Sequence, residues 1–166
     1  FHMLQIYPME AGDDQQLVMR ALNRLTSVHP LLRSVFAAPA FWIRENVVFE
    51  LEERELPARD ETLVYSLRDD PIDLSVAPFR ACLYRVAGEG ATFLGVSYHH
   101  IVLDGASQQI VFEQLTQVLT AERSGQELAL PPYKAAKIAR HAICHHVRSL
   151  SVQAIELLPE ALHVEL

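Results

Sequence analysis

Two adjacent histidines, His99 and His100, stand directly before a short loop and are well suited to chemistry. An imidazole has a pKa near neutral pH, so it can take a proton from an attacking amine or hydroxyl group and release it later. Asp104 follows in the same loop, where its carboxylate could brace the loop by pairing with an arginine. Gly105 permits a positive φ angle or the close approach of another chain. Residue types alone leave two interpretations open, acid–base catalysis or an ordinary Asp-Gly turn.

The histidine pair lies where a predicted strand ends, which places it at the rim of a sheet. Residues 79–86 and 92–98 each have the pattern of a strand, and Gly88-Glu89-Gly90 supplies turn residues between them. Together they predict an antiparallel hairpin. A helix is predicted to follow over about residues 107–122, with Ser107 as its cap. Functional side chains concentrate at such strand-to-loop junctions, which favours the catalytic interpretation.

Helices and strands alternate along the rest of the chain, as the spacing of apolar residues indicates. Asp13 and Asp14 can cap a helix that ends near His29-Pro30. This order of elements predicts a two-layer α/β sandwich with helices packed on a mixed or antiparallel sheet. The strand-like segments are 1–9, 40–44 and 47–51, and a short helix is predicted over 61–67.

Composition narrows the class of protein further. The 166 residues are 50% hydrophobic and carry a net charge of −7, which suits one folded core and argues against binding to nucleic acid. No apolar run approaches the roughly 20 residues that cross a bilayer. Cys82 and Cys144 do not make a disulfide framework, and no signal peptide is evident. We therefore expect a cytoplasmic protein with no membrane or nucleic-acid partner.

A second cluster of residues could in principle bind a metal. His141, Cys144 and His145 have i, i+3, i+4 spacing on a predicted helix, and His146 lies beside them. A helix that merely happens to be rich in histidine has the same pattern, so no metal site is predicted. A serine hydrolase is also disfavoured, because the sequence has no Gly-x-Ser-x-Gly elbow.

The histidine loop resembles a motif of a known family. The stretch from His99 to Gly105 reads HHIVLDG and resembles the HHxxxDG motif of nonribosomal peptide synthetase condensation domains, which have the chloramphenicol-acetyltransferase-like fold. Residues 22–36 resemble an upstream family element that reads roughly RHxxLRTxF. Residues 71–81 resemble the PFDL…PLLRA stretch before the motif. The three elements occur in the family's order within residues 1–130.

The resemblance implies a role for each residue of the loop. His100, the second histidine, is implied to be the catalytic residue. Asp104 is implied to turn away from the substrate and to pair with an arginine, Arg33 before Arg80. The residues implied to support the active site structurally are His99, Asp104, Gly105 and Arg33.

The implied function is amide-bond formation in nonribosomal peptide synthesis. The acceptor's amine attacks a donor acyl or peptidyl thioester, and each substrate is carried on the phosphopantetheine arm of a carrier protein. No cofactor is expected to bind the domain directly. Three alternatives stay open: a freestanding CoA-dependent acyltransferase of the same fold, an epimerisation domain, and an inactive half-domain that serves as an interaction module.

The resemblance also implies that the chain holds part of a larger domain. A full family domain is more than twice as long and has two similar lobes, with the active site in a tunnel between them. Residues 1–130 are then the N-terminal lobe, and 131–166 a helical segment leading toward a second lobe not present in this chain. The expected partners are carrier proteins and the missing lobe or another chain. The isolated chain is expected to show almost no turnover.

Overall fold

A computed structural model describes residues 2–37, 40–45, 47–57, 71–88 and 92–131. Within these ranges strands and helices alternate much as the sequence predicts. The elements in chain order are β1 (His2–Pro8), α1 (Gln15–Val28), a 3-10 helix (Pro30–Arg33), β2 (Ser34–Ala37), β3 (Ala40–Ile43), β4 (Glu52–Leu56), β5 (Phe79–Val86), β6 (Thr92–His99) and α2 (Gly105–Ser124).

The main sheet is four-stranded, with the order β1-β6-β5-β4, and β2 and β3 form a small separate sheet. β5 and β6 are antiparallel neighbours, with Phe79 opposite Tyr98, so the predicted hairpin is confirmed. β1 also runs antiparallel to β6, whereas β4 runs parallel to β5. The predicted mixed sheet is therefore confirmed, and the motif-bearing strand β6 lies in its interior.

The two faces of the main sheet bury different sets of side chains, because successive residues of a strand point to opposite sides. One face packs with α1 and α2 into the larger apolar core, to which β5 and β6 contribute Phe79, Leu83, Leu94 and Tyr98. The other face carries a smaller buried cluster that includes Cys82. The helices thus lie on one side of the sheet as a second layer, as a two-layer sandwich requires.

Helix α1 begins and ends close to the predicted residues. Asp14 is its N-cap, and its carboxylate accepts a hydrogen bond from the Leu17 N–H at 2.7 Å. Such a side-chain acceptor satisfies an amide that has no partner within the helix. His29 ends the helix and donates its backbone N–H to the carbonyl of Leu25. Pro30 then opens the 3-10 helix, because its ring suits the first turn of a helix but not the interior.

The strand predicted over residues 47–51 is wrong. These residues are irregular, and helix α1 satisfies two of their backbone groups through its side chains. Asn23 accepts the Phe49 N–H at 2.6 Å, and Gln15 donates to the Leu51 carbonyl at 2.9 Å. Both apolar side chains are buried, so their alternation reflects packing against a helix rather than strand pairing. The strand begins one residue later, as β4.

Some predictions fall outside the described residues. They are the short helix over 61–67 and the helical segment from 132 onward, including its four potential metal ligands. In the part of the chain that the structure does describe, no helix is both long and apolar enough to cross a membrane.

Candidate active site

The turn that follows β6 is closed by backbone and ring hydrogen bonds around His99. The His99 N–H donates to the carbonyl of Pro78 at 2.9 Å, and the His99 carbonyl accepts the Val102 N–H at 3.2 Å. The Ile101 N–H donates to Nδ1 of the His99 ring at 3.1 Å. Since Nδ1 acts as an acceptor, the ring is neutral and its proton is on Nε2. The bond joins the residues on either side of His100, His99 and Ile101, and so restricts the backbone of His100 between them.

Two apolar residues anchor the same turn in the core. Val102 is 0% exposed and Leu103 is 4% exposed, and both belong to the larger core cluster. His100, by contrast, is exposed at the rim of the sheet. The buried pair therefore fixes the turn from the core side while the His100 side chain stays exposed to solvent. Sequence reasoning missed this anchoring, although the apolar run from Ile101 to Leu103 between the histidines and Asp104 is a recognisable signal.

Asp104 is the N-cap of helix α2, a role that the sequence analysis gave to Ser107. Its backbone is extended, with φ −86° and ψ 176°, and its Oδ1 accepts the Ser107 N–H at 2.8 Å. The buried Ser107 hydroxyl donates to the same oxygen, and the Asp104 carbonyl accepts the Gln108 N–H at 2.8 Å. A carboxylate also suits the positive end of the helix dipole. The pairing of Asp104 with Arg80 stays a prediction.

The backbone at Gly105 is not left-handed, so this position does not require a glycine for its conformation. It is the first residue of α2, and among the described glycines the positive φ angles belong to Gly12, Gly88 and Gly125. A Cβ atom built on Gly105 would meet no atom within 4 Å. Of the two uses that the sequence allows for this glycine, the positive φ angle is not the one adopted. The other predicted use of this glycine, room for another chain, is compatible with the open space.

Arg33 does not brace Asp104, and this part of the predicted site is wrong. Its Nε donates to the Thr26 carbonyl at 2.9 Å, and its Nη1 donates to the carbonyls of Arg44 and Glu45. Helix α1 leaves carbonyls without partners in its last turn, and a guanidinium a few residues later is placed to satisfy one. Arg33 thus ties the end of α1 to the small sheet rather than to the histidine turn.

A groove opens beside Gly105, between β1 and helix α2. Two of its lining residues are aromatic, and the rings of Tyr7 and Phe112 lie 5.7 Å apart. Burial raises the pKa of Tyr7 above its ordinary value of 10, so the phenol stays protonated at alkaline pH as well as near neutrality. The groove therefore offers polar side chains of β1 and α2, together with Gly105 at the start of α2. The lining residues are Gln5, Tyr7, Gly105, Gln108, Gln109, Phe112, Glu113 and Thr116.

A buried hydrogen bond joins helix α2 to the end of helix α1. The Nε2 atom of His29 lies 2.5 Å from Oε1 of Gln114, and both residues are buried. Burial lowers the pKa of His29, so the ring is neutral near pH 7, while the contact with Gln114 opposes part of that shift. A neutral ring that donates from Nε2 satisfies the amide oxygen. This contact, which sequence reasoning missed, helps to set where α2 lies on the sheet.

The layered lobe, with a histidine turn at the end of an interior strand, is that of the chloramphenicol-acetyltransferase-like fold. The family model for the condensation domain matches residues 1–143. The chain therefore belongs to the condensation-domain family.

Curated relatives are peptide synthetases much longer than this chain. Phosphinothricin tripeptide synthetase PhsC from Streptomyces viridochromogenes is 32% identical over 129 residues, which cover 70% of this chain and 12% of that protein. Gramicidin S synthase 2 from Aneurinibacillus migulanus is 28% identical over 126 residues, or 73% of this chain and 3% of that protein. The chain thus spans about an eighth or less of these relatives.

Solved structures of similar fold include domains that are named for different activities. The starter condensation domain of the rhizomide synthetase superposes with a TM-score of 0.69 at 18% identity, covering 92% of this chain and 39% of that one. The epimerization domain from the third module of tyrocidine synthetase B gives a TM-score of 0.67 at 20% identity, covering 84% of this chain and 35% of that one. At these identities the likeness shows the fold alone.

Proposed function

We propose that this chain is the N-terminal lobe of a condensation domain that joins a carrier-bound acyl or peptidyl thioester to an amine acceptor. The observation that carries the proposal is the position of His100. It is exposed, it follows the last residue of an interior strand, and its backbone is held by a turn anchored in the core. A fixed backbone with an accessible imidazole is what a group that positions a nucleophile needs.

The chemistry proposed for His100 is the handling of one proton. The acceptor nitrogen attacks the thioester carbonyl, a C–N bond forms, and the C–S bond breaks to release the thiol of the donor's arm. The amine loses one proton in this exchange and the departing sulfur gains one, so the atoms balance. An imidazole can hold the attacking amine, take its proton and pass it on.

The neighbours of His100 support the turn rather than the reaction itself. His99 holds the Ile101 N–H, and Asp104 caps the helix that follows. Gly105 lines the groove and leaves open space where a side chain would stand. We place all of them among the supporting residues, and we leave out Arg33 because it binds elsewhere.

The proposal extends to partners that the chain does not contain. Residues 1–130 would form the lobe that carries the histidine turn, and residues 131–166 would lead toward a second lobe that completes the tunnel. Carrier proteins would deliver both substrates on phosphopantetheine arms, and no cofactor would bind the lobe directly. Membership of the family and the length of the synthetase relatives support this arrangement.

The test is a single-turnover transfer assay in a polypeptide that supplies both lobes. We expect His100→Ala to slow amide formation by about 10²–10⁴-fold, as removal of a positioned acid–base group does, with an unchanged melting temperature. His99→Ala should instead lower stability, because its ring is half-buried and closes the turn. Equal rates for His100→Ala and the wild type would refute the assignment.

The same assay separates the alternatives. A carrier-bound donor should be used in preference to the same acyl group on CoA, whereas a freestanding acyltransferase would show the reverse. Formation of an amide distinguishes condensation from epimerisation, which would invert a stereocentre of the carrier-bound substrate without joining two substrates. An inactive interaction module would give neither product.

A further inference from the structure

The first strand places a second imidazole against the histidine turn. In the antiparallel register of β1 and β6, His2 lies directly opposite His99. The two rings meet edge to face, with their centroids 5.5 Å apart and an angle of 66° between their planes. Both side chains are half-buried. His2 is therefore a neighbour of the site that the HHxxxDG pattern does not contain.

The contact matters because of what His99 does with its ring. Nδ1 of His99 accepts the Ile101 N–H at 3.1 Å, and that bond encloses His100 between its two ends. The bond requires one rotamer of His99 and an unprotonated Nδ1. The terminal torsion of an imidazole is broad, so a half-buried ring turns easily unless its neighbours restrain it. A second ring packed against it reduces that freedom.

We propose that His2 is a positioning residue that acts through His99 to fix the backbone of His100. His2 restrains the ring of His99, His99 holds the Ile101 N–H, and the closed turn presents His100 at the rim of the sheet. His2 itself is assigned no contact with the substrate. The positioning of the turn follows from the contacts alone, whereas its consequence for a reaction rests on the proposed function.

The restraint requires a flat ring rather than an ionisable one. An edge-to-face contact depends on shape and on the quadrupole of an aromatic ring, so phenylalanine can replace histidine while alanine cannot. Met3 provides a matched control, since it is the next residue of the same strand and lies opposite Tyr98. Its replacement would loosen the end of β1 without touching His99.

The first experiment uses this chain and measures amide hydrogen exchange together with the nitrogen spectrum of the His99 ring. We expect His2→Ala to speed exchange at Ile101 by roughly tenfold, the loss of about one hydrogen bond. We also expect the nitrogen spectrum to show that the His99 ring no longer stays in the Nε2–H tautomer alone. His2→Phe should keep both signals, and exchange in the centre of β5 and β6 should not change.

Two outcomes of this experiment would overturn the proposal. One is unchanged exchange at Ile101 in His2→Ala. The other is equal acceleration in His2→Ala and Met3→Ala, which would mean that the end of β1 merely frays.

The second experiment measures steady-state transfer kinetics with the same variants in a polypeptide that supplies both lobes. We expect His2→Ala to lower kcat with KM unchanged, and His2→Phe to restore it. Normal kcat in His2→Ala, despite fast exchange at Ile101, would overturn the link to the reaction. If the proposed function is wrong, His100→Ala keeps its full transfer rate. The exchange rate at Ile101 in His2→Ala would still test whether His2 positions the turn.

Discussion

The two ends of helix α2 are held in different ways. At the C-terminal end, Arg123 reaches across the fold to Asp13 at 2.7 Å and to Glu10 at 2.9 Å. At the N-terminal end, Asp104 accepts both the N–H and the hydroxyl of Ser107, a neighbour in sequence. The far end is tied to a distant loop by charged hydrogen bonds, whereas the end that carries the histidine turn is capped locally and faces a groove.

The difference indicates how the lobe separates stability from function. Glu122 extends the C-terminal ties to Arg20 and Arg24 of helix α1, and Arg24 also donates to the carbonyl of Leu128. These contacts fix the axis of α2 far from the site. The histidine turn can then remain exposed, because the helix that follows it is held in place at its other end. Sites on loops held by a rigid scaffold have this arrangement in general.

The largest effect on stability should come from the far end. The side chain of Asp13 is almost fully buried. Asp13→Ala removes the two hydrogen bonds that it accepts from Arg123 and the one that it accepts from the Glu10 N–H. We expect the free energy of unfolding to fall by about 2–3 kcal/mol, the range for hydrogen bonds to charged groups. Urea denaturation measures it. A change in the free energy of unfolding below about 0.5 kcal/mol would show that the contact between Asp13 and Arg123 does not hold α2 in place.

Glu10→Gln is the matched control for that prediction. The Glu10 side chain pairs with the same arginine but is 70% exposed, so solvent and salt screen it. We expect a change below about 0.5 kcal/mol, as for exposed ion pairs in general. Equal losses in the two variants would mean that the charge of Arg123, rather than the burial of its partner, decides the effect.

The middle of the helix should respond to pH through His29. Burial holds the pKa of His29 below its ordinary value of 6.5, and Gln114 opposes part of the shift. The unfolded chain takes up a proton near that value, and the folded state does so only at lower pH. The stability from His29 is thus fully present above about pH 6.5 and is lost as the pH falls toward the lower folded pKa.

Unfolding measured at about pH 7.5 and about pH 5.5 tests this dependence on either side of the ordinary value for histidine. The double variant His29→Phe, Gln114→Leu removes both partners and should lose less stability between the two pH values than the wild type. An equal loss in both proteins would assign the dependence to other groups.

Much of the fold could be predicted because its signals are local. The β5–β6 hairpin follows from alternation and intervening turn residues, and α1 follows from its cap and its apolar period. Strand β4 was missed because Glu52 to Arg54 are exposed and charged, as on an edge strand. Its pairing with β5 is parallel and spans a long connection, which no local pattern reports.

The site was predicted less completely than the fold, for a related reason. The histidine pair and Asp104 are contiguous, so a motif finds them. Contact between His2 and His99 depends on the register of two strands far apart in sequence. Arg33, the first expected partner of Asp104, donates instead to the Thr26 carbonyl in the last turn of α1. Competition of that kind is settled by three-dimensional geometry.

A smaller effect should distinguish the caps of the two helices. Asp14 caps α1 and Asp104 caps α2 in the same manner, each accepting the N–H of the residue three positions on. Alanine at either position should cost about 1 kcal/mol of stability. Transfer activity should fall for Asp104→Ala alone, because only that cap adjoins the histidine turn. If Asp14→Ala lowers activity equally, the loss reflects general stability.

The smallest effect, and the one that bears most directly on the two ends of α2, concerns their glycines. Gly125 ends the helix with φ 64°, a left-handed backbone that costs an alanine roughly 1 kcal/mol. Gly105 begins it with helical backbone and open space, so Gly105→Ala should raise the free energy of unfolding by about 0.4–1 kcal/mol. We expect Gly105→Ala to be slower in transfer despite this gain, because the added methyl group occupies space beside the groove. A variant that is both more stable and fully active would show that the opening at Gly105 serves no substrate.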